Sequence, residues 1–195
     1  MSVTFKRLTT PAKIQDFLNT LSFNFEKNGE TCRSVTQSLK ARTAHCFEGA
    51  LIAAAALQNL GHKPLLLDLK TTPDDYEHVV ALFMVDGYWG AISKTNHAVL
   101  RYREPVYKDI HELVMSYFHE YFLKNGKKTL RSYSKPFDLT KFGNEWIDSP
   151  EPLWHIDQAL DRSRHISILT MKQITRLRKA DRIEIKAGEL TESKK

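Results

Sequence analysis

The sequence predicts an α+β fold in which an antiparallel sheet packs on one buried helix. Three observations carry this. Residues 43–60 are apolar nearly all round a helical projection, which marks a helix covered on every side. Short apolar runs of strand length follow at Leu65–Leu69 and His78–Met84. Asp86-Gly87 then links the second run to Tyr88–Ser93, the signature of a tight hairpin and so of antiparallel pairing.

The elements can be justified in order. Thr10 caps a helix and Pro11 takes its first position, with Ile14, Phe17, Leu18 and Leu21 at helical spacing. Residues 23–42 are polar and mixed, and read as an irregular or partly helical lead-in. Thr43 is the expected cap of the buried helix, and Gly61 its stop. Pro64 leads into the first strand, and Thr71–Asp75 is a loop. After Pro105, residues 108–123 form an amphipathic helix with Ile110, Leu113, Val114, Tyr117, Phe118, Tyr121 and Phe122 on its apolar face. Residues 125–148 read as loop-rich. Ser149-Pro150 opens a helix to about Arg164, Thr170 opens a short basic one to about Lys179, and the tail from about Gly188 reads as frayed.

Composition narrows the classes. With 42% hydrophobic and 27% charged residues, the 195-residue chain suits a soluble globular protein of one domain. No apolar run approaches the ~20 residues that span a bilayer, and the first residues lack the apolar core of a secretory signal. A cytoplasmic protein is expected. Cys32 and Cys46 are the two cysteines, and a reducing compartment keeps them free. The charge is uneven: Lys and Arg number 10 against 9 acids in residues 1–100, but 19 against 14 in residues 101–195. That basic half lacks interleaved exposed aromatics, so it reads as a solvated surface and nucleic acid is not expected as a partner.

The chemistry centres on Cys46. The first turn of a helix carries unpaired N–H groups and partial positive charge, which favour a thiolate. Ala50, Ala53 and Ala54 let this helix lie close to a sheet. His78 opens a strand after a polar loop, where a neutral imidazole can take the thiol proton and later protonate a leaving amine. With Asp86-Gly87 as a two-residue turn, Val85 faces Tyr88 and Val80 faces Ser93, which puts Ser93 diagonal to His78 on one face. Asn96 is the other candidate third residue, although its parity places it on the opposite face if the strand continues. Each residue alone has an ordinary structural role: free cysteines are often buried, and single histidines often sit at the surface.

Taken jointly, Ala44-His45-Cys46 ahead of a small-residue helix, Glu77-His78-Val79, and Asp86-Gly87 before Trp89 resemble the transglutaminase-like superfamily of papain-like cysteine enzymes. The resemblance covers about residues 40–96. It implies a papain-like core, placed in residues 1–130; residues 131–195, outside the resemblance, read as a helical C-terminal extension packed on the same domain. It also implies cysteine-dependent acyl transfer on an amide or isopeptide bond, by hydrolysis or by transfer to an amine. In that reading Cys46 attacks, His78 moves the proton, and Ser93 or Asn96 orients His78. Trp89 and His45 are candidate substrate-binding residues. Where the family places an Asp before Pro-Thr, this chain reads Ser93-Lys94-Thr95. A hydroxyl orients an imidazole but brings no charge to it, so a catalytically silent binding module is the alternative. The expected partner is a peptide or amide substrate, with no membrane, no cofactor and no metal. Paired Cys/His zinc spacings are lacking, and adjacent residues such as His45 and Cys46 point about 100° apart on a helix. Cys32 reads as structural, and Trp154, His155 and Asp157, on a helix, as packing plus surface. The oligomeric state is not legible.

Overall fold

Thr10 accepts a hydrogen bond from the Lys13 amide at 3.2 Å, and Pro11 follows it, so the first long helix starts where a cap and a preset φ coincide. The computed structural model describes residues 3–192. In chain order its elements are α1 (Val3–Lys6), α2 (Pro11–Thr20), β1 (Ser22–Phe23), α3 (Val35–Ala41), β2 (Thr43–Ala44) and α4 (Cys46–Asn59). Then come β3 (Leu65–Lys70), β4 (His78–Val85), β5 (Tyr88–Ser93), β6 (Arg103–Tyr107) and α5 (Ile110–Phe118). The last part holds β7 (Ser132–Ser134), β8 (Phe137–Asp138), a 3-10 turn at Leu139–Phe142, α6 (Glu145–Asp148), α7 (Trp154–Asp161), β9 (His165–Ser167), α8 (Met171–Ile174) and α9 (Arg182–Gly188).

The fold is α+β. Its main sheet has seven strands in the order β6-β5-β4-β3-β7-β9, with β8 also paired to β3, and every pairing in it is antiparallel. β1 and β2 make a separate parallel pair. Period-two alternation splits β4 between two cores. Val79, Ala81 and Phe83 pack with α4, while Val80 and Leu82 face α5 through Leu113, Val114 and Tyr117. The β4–β5 hairpin has the expected register, Val85 opposite Tyr88 and Val80 opposite Ser93. Asp86 and Gly87 both take positive φ, 50° and 84°, as a two-residue primed turn requires. Among the described residues, no helix is long and apolar enough to cross a membrane.

Several expectations are corrected. The buried helix begins at Cys46, not after Thr43. Thr43 pairs in β2 and its hydroxyl accepts from Arg33 at 3.0 Å, so the N-cap position falls to His45. α5 ends at Phe118 rather than near residue 123, although Tyr121 is still buried. The stretch after residue 131 is not a purely helical extension. β7, β8 and β9 lie within it and pair into the main sheet. Ser149-Pro150 does not open a helix, and α7 waits until Trp154. Pro152 explains this, because a proline disfavours helical φ and ψ in the residue before it. The tail beyond Gly188 is ordered through Glu192: the amide of Ala98 donates to the Leu190 carbonyl at 2.9 Å, and the amide of Glu192 to the Asn96 carbonyl at 2.7 Å. Residues 193–195 of that tail lie outside the described residues.

Candidate active site

Cys46 is the first residue of α4, so its N–H lies in the open first turn and the positive end of the helix is at its sulfur. α4 approaches the end of β5 very closely. A Cβ placed on Gly49, one turn beyond Cys46, would sit 2.3 Å from Cβ of Lys94. The Lys94 side chain is buried alongside, its Nζ donating to the Leu21 carbonyl at 2.6 Å. Glycine at 49 is therefore what seats the cysteine end of α4 against the strand that carries Ser93.

On one side of Cys46 stands His78, the first residue of β4. Its Nε2 lies 2.7 Å from Ser93 Oγ. Ser93 Oγ in turn donates to the Leu100 carbonyl at 2.5 Å. A hydroxyl has one proton, so this bond settles the direction of the other: His78 Nε2–H donates to Ser93. The second ring nitrogen, Nδ1, is left for the thiol. Ser93 is itself clamped by Gln15 of α2, whose amide oxygen accepts from Ser93 N at 3.0 Å and whose amide nitrogen donates to Ser93 O at 2.8 Å.

On the other side stands His45. Its backbone is extended, φ −88° and ψ −171°, so the 100° helical offset from Cys46 does not apply to it. Its Nε2 lies 2.9 Å from the Thr31 carbonyl, which only accepts, so Nε2 carries a proton. Oε1 of Glu48 is 3.6 Å from the same nitrogen, and Oε1 of Glu26 is 3.8 Å from it. Glu48 is fully buried. Its carboxylate accepts from the amides of His45 and Arg33, both at 3.2 Å, from the Thr31 hydroxyl at 2.8 Å and from Asn24 at 3.3 Å. Sequence reading passed over Glu48, Thr31, Glu26 and Gln15. A signal for Glu48 was present: it is a lone carboxylate inside an otherwise apolar helix.

The two imidazoles act on one thiol. Burial pushes the Cys46 thiol up, but hydrogen bonds from His45 and His78, together with their charges, more than reverse this and bring it down to about 5. Burial pushes His45 down, and the hydrogen bond to Cys46, the charges of Cys46 and Glu48 and the Thr31 carbonyl raise it to about 9. Cys32 contrasts with this. It is buried, and desolvation with the nearby Asp157 drives its thiol far upward.

The three residues open onto a cleft of about 930 Å³. Phe23 and Phe25 form one part of its wall, and Ile185, Glu189 and Thr191 from the chain's last described stretch form another. Asn96 lines the cleft, but the Nε2 of His78 is already bonded to Ser93. Trp89 is corrected as a cleft residue. It sits at the turn end of β5, opposite Met84 and Tyr107 and packed on the α5 side of the sheet. Tyr121 borders the cleft with a buried hydroxyl that has no hydrogen-bond partner among the described residues. An acidic group, Asp68, Glu77 and Asp161, lies beside the site with oxygens within 4.8 Å of one another. Lys70 already supplies a cation there, 2.5 Å from Asp161 and 3.9 Å from Glu77.

No protein-family model matches the chain, and no curated protein matches its sequence. What fold and site define together is a class by construction: an α+β chain whose main sheet is antiparallel and whose helix-start cysteine lies between two histidines.

Proposed function

We propose that this chain is a cysteine-dependent acyl-transfer enzyme with a transglutaminase-like, papain-like core, acting on an amide or isopeptide bond. The observation that carries the reading is the Cys46 thiol at the start of α4, with His78 backed by Ser93 on one side and His45 on the other. The cysteine proton passes to Nδ1 of His78. The thiolate attacks the amide carbonyl, forming a C–S bond and moving the carbonyl pair onto oxygen, where the Cys46 N–H can donate. The intermediate collapses, the C–N bond breaks, and His78 returns the proton to the leaving amine. Water or a second amine then attacks the thioester, gives its proton to His78, and releases the thiolate. The cleft is large enough for a peptide segment.

The reading is tested by incubating the protein with an amide-mimicking electrophilic peptide probe and, separately, with a glutamine peptide and a primary amine. Mass spectrometry should find the acyl adduct on Cys46, lost in Cys46→Ala and greatly slowed in His78→Gln. Absence of any Cys46 adduct with either reagent, in protein whose Cys46 still alkylates, would overturn it.

A further inference from the structure

Ser93 leaves the His78 side of the site without a charge. The buried charge lies on the other side of the thiol. Glu48 is enclosed by four donors, and its Oε1 is 3.6 Å from Nε2 of His45. That nitrogen faces acceptors: the Thr31 carbonyl at 2.9 Å, Glu48, and Glu26 at 3.8 Å. It therefore holds its proton whether or not the ring is charged, and the ring's Nδ1 is the atom left to act on the adjoining Cys46, whose thiol His45 pulls down. A second proton on Nδ1 makes the ring a cation between a carboxylate and a sulfur, with its other edge tied to a carbonyl.

We propose that His45 is a second catalytic histidine, a fixed cation that holds Cys46 as thiolate and keeps its own proton throughout the cycle, while His78 alone moves protons. The proposal rests on the acyl-transfer reading above. It explains how the site works with a hydroxyl at 93. A carboxylate there would stabilise a charged His78; here the Glu48–His45 pair stabilises the thiolate instead. The bookkeeping of the reaction is unchanged. With Cys46 already a thiolate, the mobile proton is the one on His78: it goes to the leaving amine and is replaced from the attacking water or second amine, and His45 neither gains nor loses one. The charged groups that face His45 are Glu26 and Arg33 from the loop before α3, Glu48 on α4, Cys46, and Asp157 on α7. Arg33 Nε is 3.9 Å from Glu48 and opposes the carboxylate's pull; Glu26 and Asp157 reinforce it. The acids prevail by number and by the burial of Glu48.

The test compares the pH profile of Cys46 alkylation by iodoacetamide in the full chain, His45→Gln and His78→Gln. The unmodified protein should react with a midpoint near 5. His45→Gln should move the midpoint up by roughly two pH units or more and so cut the rate at pH 6 at least ~10-fold. His78→Gln should keep more of its reactivity at pH 6 than His45→Gln does, yet lose amide turnover. The reverse ranking overturns the proposal. Should His45→Gln fail to fold, nitrogen NMR on the unmodified protein decides. Both ring nitrogens of His45 should stay protonated at pH 7.5, and capping Cys46 with iodoacetamide should lower its titration. A neutral His45 ring at pH 7.5 also overturns the proposal. Failure of the enzyme reading looks different: the profiles split as described, but no amide reagent acylates Cys46.

Discussion

Nε2 of His78 donates to Oγ of Ser93 across 2.7 Å, and the single proton of that hydroxyl is committed to the Leu100 carbonyl. Ser93 is thus a one-way acceptor. It fixes which nitrogen of His78 carries the proton, although it brings no charge.

Ser93→Ala should therefore cost orientation rather than charge. Losing one neutral hydrogen bond is worth about 1 kcal/mol, or roughly fivefold in amide turnover. The acid midpoint of Cys46 alkylation should stay close to that of the unmodified protein. Ser93→Asp sets a carboxylate against the Leu100 carbonyl, where the hydroxyl had donated, while favouring an imidazolium at His78. It should extend thiolate reactivity to lower pH and also lower thermal stability. Coincident alkylation profiles and equal turnover in all three proteins would remove Ser93 from the site and make Asn96 the next residue to test.

Cys46 and Cys32 should separate sharply under limited iodoacetamide. With its thiol near 5, Cys46 is mostly ionised at pH 6. A free thiol at about 8.5 is only about 0.3% ionised there. Cys32 is buried and driven upward, so it should label only after unfolding. Peptide mapping after partial reaction reads this out, and equal labelling of the two would refute the activation of Cys46.

Stability should depend on pH in one window. His45 is raised from 6.5 to about 9, so its contribution is complete below 6.5 and lost as pH rises through 9. Cys46 is lowered from 9.0 to about 5, so its contribution is complete above 9.0 and lost as pH falls through 5. Between 6.5 and 9, folded and unfolded states hold the same number of protons on this pair, one each, and stability from it is flat. Between about 5 and 6.5 the unfolded chain holds one proton more, so stability must fall as the pH falls. A melting midpoint dropping by roughly 2–4 °C per pH unit across that window is expected. Cys46→Ser should flatten it, and an unchanged slope in that variant would count against the pairing.

Gly49→Ala adds a methyl where Cβ of Lys94 is only 2.3 Å away. Either α4 shifts or β5 does. The expected cost is about 1–3 kcal/mol of stability by denaturant titration, with slower Cys46 alkylation. An unaltered protein would show that the seat of α4 is more forgiving than its geometry.

The hairpin half of the site was legible in the sequence because a two-residue turn counts residues. Once Asp86-Gly87 is the turn, the pairing of Val80 with Ser93 follows, and His78 falls diagonal to it. The start of α4 was not legible in the same way. Thr43 has the side chain of a good cap, but β2 pairing and Arg33 claim it, and both depend on contacts from elsewhere in the chain. Misplacing the cap by two residues hid Glu48, which stands at the third position after His45 and accepts from the His45 amide. β7, β8 and β9 escaped for another reason. They are two or three residues long and carry serines and a histidine, so no period can build up in them. β9 is a strand through β7, and β7 and β8 are strands through β3, a partner more than sixty positions earlier.

That partner has a consequence for how the chain is made. Leu65–Lys70 finds β4 soon after it is synthesised, but its opposite edge is closed by strands that begin at Ser132. Until then Leu66, Leu67 and Leu69, all fully buried in the finished protein, border an open row of amides and carbonyls. Such an edge invites pairing with a neighbouring chain. A product ended near residue 130 would keep Cys46, His78 and Ser93 yet carry this open edge permanently. It should collect in the insoluble fraction, which makes the distal third a chaperone for the strands it completes.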